Sequence, residues 1–223
     1  MSTTGAKYPT LGQTISESPW SDNTWSYPTR IYADDGSSAY ITASTYDTGD
    51  QSRVLKATGF DFSAIPDGAT INGVIVRVNT WYANGTVSID LAQLLNTSKA
   101  RVGDNKYATP EALSTSNSNI KTIGGDSDTW GNALTPDWVK NANFGVGLGF
   151  LATGNNADVY VDYVTIEIYY TYEGPVYDGI LKRWNGSAWV KEPLKVYLDS
   201  SWQAKPLKRY TGSEWVTVDT TGV

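Results

Sequence analysis

Apolar residues in this chain recur mostly at every second position, in short runs, and the runs are separated by Gly, Pro, Asn and Asp. A period of two belongs to β-strands, whose successive side chains point to opposite faces. Val74, Val76 and Val78 alternate with Ile75, Arg77 and Asn79. After Asn84-Gly85, Val87, Ile89 and Leu91 alternate with Ser88, Asp90 and Ala92. Two alternating runs around Asn-Gly predict a β-hairpin, because both residues accept the positive φ of a tight turn. Phe144, Val146, Leu148 and Phe150 alternate with Gly145, Gly147 and Gly149. That strand has one apolar face and one bare face, and Gly in a strand interior marks a close approach, so something packs against the bare side. Residues 159–172 predict a long strand with Val164, Ile166, Ile168 and Tyr170 on one side and Thr165, Glu167 and Tyr169 on the other.

Weaker β signals lie at 30–33 and 40–43, flanking the turn Asp34-Asp35-Gly36-Ser37, and at 53–62. Ile65-Pro66-Asp67-Gly68 reads as a turn, with Pro fixing φ and Gly free to take it positive. One helical signal appears. Thr135-Pro136-Asp137-Trp138-Val139 supplies an N-cap, a Pro at the first helical position and an acid in the first turn, sufficient for one or two turns. Residues 96–129 are polar and predict irregular structure. Residues 1–29, rich in Ser, Thr and Pro with Trp20, Trp25 and Tyr27 among them, read as an extended arm that reaches a neighbouring subunit.

After Glu173-Gly174-Pro175 the pattern changes to a repeat. Leu181-Lys182-Arg183-Trp184-Asn185-Gly186-Ser187-Ala188-Trp189 recurs as Leu194-Lys195-Val196-Tyr197-Leu198-Asp199-Ser200-Ser201-Trp202. It recurs again as Leu207-Lys208-Arg209-Tyr210-Thr211-Gly212-Ser213-Glu214-Trp215. In each copy a four-residue loop sets the aromatic opposite the Trp, where a cross-strand pair contributes about 0.2–1 kcal/mol, and the loop residues suit a type I turn. Pro193 and Pro206, with no N–H to give a ladder, separate the units. The expected fold is all-β: an N-terminal arm (1–29), a jelly-roll-like β-sandwich (30–173) and a small C-terminal module of three 13-residue β-hairpin repeats (176–223). Three small hairpins bury too little surface to stand alone. They are expected to stack on the main domain, on a partner, or on their own copies in a homo-oligomer, for which a trimer is the natural case.

Composition narrows the chemistry. The 223 residues include no His and no Cys, which excludes a Ser-His-Asp triad, thiolate catalysis, disulfides and the usual zinc sites. Net charge is −6, against nucleic acid and acidic membrane surfaces as partners. No apolar run reaches the roughly 20 residues of a membrane helix, and the opening Met-Ser-Thr-Thr-Gly carries no signal-peptide core. Residues 1–174 carry net −8 and residues 175–223 net +2. Nine Trp and 15 Tyr are the unusual counts, and four of the Trp fall in the repeats.

The candidate sites are therefore aromatic. Trp184, Trp189, Tyr197, Trp202, Tyr210 and Trp215, with Lys182, Lys195 and Lys208, form an expected interaction surface, either as contacts between hairpins and subunits or as a stacking and cation–π face. Trp81, Tyr82, Trp130 and Trp138 are candidates to stack on sugar rings, or else they cap the core. No catalytic set, cofactor or metal site is expected. Asp126 and Asp128 beside Gly124-Gly125 offer hard oxygens but lack the further acids of a Ca²⁺ loop, and no spacing pairs two carboxylates as glycoside hydrolysis requires.

Several stretches resemble virion structural proteins of tailed bacteriophages: Trp25-Ser26-Tyr27-Pro28, Asp34-Asp35-Gly36, Leu55-Lys56-Ala57-Thr58-Gly59-Phe60-Asp61-Phe62, Ile65-Pro66-Asp67-Gly68-Ala69-Thr70-Ile71-Asn72-Gly73-Val74 and Val161-Asp162-Tyr163-Val164. The repeat wording Trp-Asn-Gly-Ser-Ala-Trp-Val is similar to the ends of phage minor tail and head-decoration proteins. The resemblance covers about residues 20–172 and 180–218. It implies a non-enzymatic, often oligomeric β-sandwich on the virion exterior, in contact with other capsid or tail proteins, either as head decoration or fibre or as a minor tail protein. A carbohydrate-binding module contacting a host-surface glycan is the alternative, and a glycan depolymerase the third reading.

Overall fold

The computed structural model describes residues 1–42, 46–173, 181–192, 195–204 and 208–217; for residues 181–183, 189–192, 195, 204 and 209 it describes the main chain alone. Contacts divide the chain into two compact units, Met1–Tyr172 and Glu173–Val223.

In chain order the first unit holds β1 (Ser2–Thr3), β2 (Leu11–Ile15), a 3-10 turn (Pro28–Ile31), β3 (Ala39–Thr42), β4 (Val54–Thr58), β5 (Thr70–Tyr82) and β6 (Val87–Leu95). There follow β7 (Arg101–Val102), β8 (Glu111–Ala112), β9 (Ile120–Gly125), α1 (Pro136–Lys140), β10 (Gly145–Ala152) and β11 (Asp158–Thr171). One sheet runs β9-β5-β11, with β3 and β1 both on the far edge of β11; the other runs β2-β4-β10-β6, with β7 and β8 on the far edge of β6. All these pairings are antiparallel. Successive main strands β3, β4, β5 and β6, and later β9, β10 and β11, alternate between the sheets. That order is two interleaved Greek keys, a jelly roll. The inner faces meet in one core: Val74, Val76, Val78, Val164, Ile166 and Ile168 from one sheet face Leu55, Leu94, Val146, Leu148 and Phe150 from the other.

Four sequence expectations change. The hairpin at Asn84-Gly85 does not form. Both alternating runs are strands, β5 and β6, but they lie in different sheets. The main-chain groups of this corner bond to the neighbouring corner instead: Ala83 N–H to Asp158 O, Asp158 N–H to Asn84 O, and Thr153 and Gly154 N–H to Thr86 O. Gly85, at φ 60°, is needed there, since a Cβ would lie 2.8 Å from Asn155 O. Residues 30–33 open with 3-10 structure rather than a strand. Within 96–129, β9 is a regular strand of six residues, paired to β5 from Val74↔Gly125 to Asn79↔Ile120. It escapes the pattern because only Ile123 of its apolar residues is buried and Ile120 is exposed.

The arm is the fourth. Residues 1–29 lie on their own sandwich: β1 pairs with β11 and β2 with β4, and Trp25 enters the core, its ring 5.3 Å from Phe150 and its Nε1 donating to Arg53 O. The edges of β4 and β11 would otherwise be bare, and the arm satisfies their main-chain groups. The arm also explains the bare glycine face. A Cβ on Gly149 would meet the Trp20 indole at 2.6 Å, so that ring is what packs there.

The second unit holds three separate antiparallel hairpins: β12 (Leu181–Trp184) with β13 (Trp189–Glu192), β14 (Lys195–Leu198) with β15 (Ser201–Ala204), and β16 (Lys208–Tyr210) with β17 (Trp215–Thr217).

Candidate functional site

The repeats place their rings as the spacing requires. Trp184 is the cross-strand partner of Trp189, Tyr197 of Trp202, and Tyr210 of Trp215. The ring centroids of Tyr197 and Trp202, and of Tyr210 and Trp215, are 5.3 Å apart and tilted to each other, a favourable aromatic geometry. The loops differ. In the first and third hairpins four residues close the turn. Asn185 Oδ1 accepts from Ser187 and Ala188 N–H in one, and Thr211 Oγ1 accepts from Glu214 N–H in the other. In the second, Leu198 pairs with Ser201, leaving Asp199-Ser200 as a two-residue turn with φ 51° and 65°. Positive φ at both central residues is the mark of a type I′ turn, so the expected type I loop is replaced there.

The described rings stay in solvent. Trp202 is 69% exposed and Trp215 66%, and Trp184, Tyr197, Tyr210 and Lys208 are also exposed. The side chains of Lys182, Trp189 and Lys195, and residues Pro193 and Pro206, lie outside those described.

The four sandwich aromatics separate. Trp130 is fully buried, with Nε1 donating to Val74 O at 3.0 Å, so it belongs to the core and cannot stack on a sugar. Tyr82 packs against the core. Trp81 stacks on Tyr160 with centroids 5.3 Å apart and planes 10° off parallel. Tyr160 contacts Tyr40, Tyr40 contacts Tyr27, and the Arg30 guanidinium lies 4.1 Å from the Tyr27 centroid. This is a cross-strand rib of rings, face to face at Trp81 and Tyr160 and tilted at the other two contacts. Trp138 lines an open cavity. Thr135 Oγ1 caps α1 by accepting from Trp138 N–H, and the indole Nε1 donates to Leu95 O at 3.2 Å, which fixes the ring. Around it is an open pocket of about 590 Å³. Sequence reasoning singled out Trp138 but missed the Asn residues around it; their only signal was spacing, Asn96 two before Ser98 and Asn141 two before Asn143, which favours local side-chain turns.

The carboxylates are mostly committed to structure. Glu17 bridges Lys56 and Arg101; burial alone would raise its pKa, but those two cations outweigh it and hold it below the usual range. Glu167 pairs with Arg77 at 2.8 Å and accepts from Thr3. Asp128 pairs with Lys106 at 2.8 Å and accepts from Trp130 N–H, so of the Asp126–Asp128 couple one is already engaged. Asp90, buried under Trp20, is pushed above the usual Asp range by burial, against the donors Trp20 Nε1 and Gln51 Nε2. Among the described residues, no three acids gather as a metal site and no helix is long and apolar enough to cross a membrane.

No family model matches the chain, and no curated protein matches it. Among solved structures, the N-terminal cellulose-binding domain of Cellulomonas fimi β-1,4-glucanase C is similar over 75% of this chain and 99% of that domain, with 11% sequence identity and a TM-score of 0.30.

Proposed function

We propose that the chain is a non-enzymatic structural component on the exterior of a tailed-phage virion, as head decoration or fibre or as a minor tail protein, and that the hairpins make its contacts. The observation that carries this reading is that three successive hairpins set an aromatic opposite a Trp at the same register, with the described rings Trp184, Tyr197, Trp202, Tyr210 and Trp215 all in solvent. Exposed Trp and Tyr are the residues that dominate protein contacts, because they desolvate a large area and lose little rotamer freedom. The partners are other virion proteins and further copies of the chain, a trimer being the natural assembly. The resemblance at residues 20–172 and 180–218 supplies the setting.

The test is a full-length variant with Trp202→Ser and Trp215→Ser. Both rings are exposed, so the sandwich stays folded by circular dichroism. Light scattering and co-sedimentation with particles lacking the chain should then show association weakened at least about tenfold, since a single hot-spot ring is worth about 2 kcal/mol or more. Wild-type association in that variant would remove the hairpins from the contact.

A further inference from the structure

The pocket beside α1 is made of sandwich residues alone, and its chemistry is separate from the hairpin contacts. Its volume, about 590 Å³, lies within the range of about 300–1,000 Å³ usual for small-ligand sites. Trp138 and Val102 give it an apolar wall; Asn96, Asn132, Asn141 and Asp137 give it polar groups.

Three of those polar groups are amides held at one end by the main chain. Asn96 Oδ1 accepts from Ser98 N–H at 2.9 Å and Ala100 N–H at 3.0 Å. Asn141 Oδ1 accepts from Asn143 N–H at 2.9 Å. Asn132 Nδ2 donates to Trp130 O at 2.9 Å. Each bond fixes a side chain and leaves its other end without a partner among the described residues: two amide donors, from Asn96 and Asn141, and one amide acceptor, from Asn132. The Asp137 carboxylate adds a second acceptor. The ordering entropy of these groups is already lost on folding, so a ligand that meets them binds a preorganised array.

From this arrangement we infer that the pocket binds a neutral saccharide. A sugar hydroxyl both donates and accepts, matching fixed donors and acceptors set side by side. A sugar's C–H face is apolar and fits against an indole. Charge decides the class. The lining carries one carboxylate and no Lys or Arg, so a phosphate, sulfate or uronate would meet like charge with nothing to balance it.

The test uses the full chain and a defined panel: cellotetraose, maltotetraose, laminaritetraose and chitotetraose, with tetragalacturonate as the acidic comparator, followed by calorimetry and Trp fluorescence. At least one neutral tetramer should bind, and tetragalacturonate should not. Asp137→Ala removes an exposed side chain without a structural partner and should weaken binding about ten- to a hundredfold, the worth of a hydrogen bond to a charged group. Trp138→Ala should abolish it; should that variant lose its fold, Trp138→Phe keeps a ring in place and should bind more weakly than wild type. Absence of binding to every neutral tetramer, preference for the acidic one, or unchanged affinity in Asp137→Ala and the folded Trp138 variant would each overturn the site.

Discussion

At the scale of single residues, the interior is set by matched pairs that are far apart in the chain. Gly149 and Trp20 are one. The indole lies where a Cβ would be, 2.6 Å from it, with Leu91 Cβ at 2.8 Å, and the same indole donates to Asp90 Oδ1 at 2.9 Å. Gly149→Ala should therefore displace the ring and cost about 1–3 kcal/mol, the range for overpacking. A lower urea midpoint with unchanged slope would register it, and the cost should shrink when Trp20→Ala is also present, because the indole clash is then gone and the contact with Leu91 Cβ remains. The alternating glycines made a covered face legible in the sequence, but not the identity of the cover, since periodicity describes one strand and not what crosses it. The same limit applies to Trp130 and Trp138. Trp130 follows polar loop sequence and Trp138 lies in a short helix, yet the loop Trp fills the core and the helical one borders the pocket. The difference comes from Trp130's left-handed backbone and its bond to Val74 O, and neither has a local signature.

At the scale of elements, alternation located β5, β6, β10 and β11, and the Thr-Pro-Asp signal located α1, with the expected cap. Pairing was not legible where the partner is remote. Asn-Gly favours reversal of the chain, but reversal into the opposite sheet uses the same turn chemistry, and the competing bonds come from residues 153–158. In the hairpins the partner is local, and there the register followed from spacing alone. The middle turn is the informative one, because Asp199 and Ser200 both sit at positive φ, where Asn-Gly is preferred. Replacing Asp199-Ser200 by Asn-Gly should stabilise that hairpin by about 0.5–1 kcal/mol. Amide exchange in β14 and β15 should slow about two- to fivefold while the other two hairpins keep their rates. Equal rates in all three would mean the turn conformation is different.

At the scale of the whole molecule, the sandwich is closed by its own N-terminal segment, and two carboxylates with opposite shifts hold that closure. Glu17 ties β4 and β7 together through Lys56 and Arg101, and Arg101 lies 4.4 Å from the Trp20 ring centroid. Its folded pKa is lowered, with the cations outweighing burial, so its stabilisation is present above the usual Glu range and is lost as pH falls through the folded value. Asp90 acts in reverse. Burial raises its folded pKa despite the Trp20 and Gln51 donors, so its contribution is full below the usual Asp range and is lost as pH rises through the folded value. Asp90→Asn keeps an oxygen for Trp20 Nε1 and removes the charge that burial penalises. Urea midpoints measured from about pH 4 to 7 should then rise more steeply with pH in Asp90→Asn than in the wild type, because the opposing Asp90 contribution is gone. Glu17→Gln should show the complement, a curve that rises less with pH than the wild type over the same interval. Parallel curves for wild type and Asp90→Asn would mean that Asp90 titrates in the fold as it does in the unfolded chain, and that it gives the N-terminal closure no pH dependence of its own.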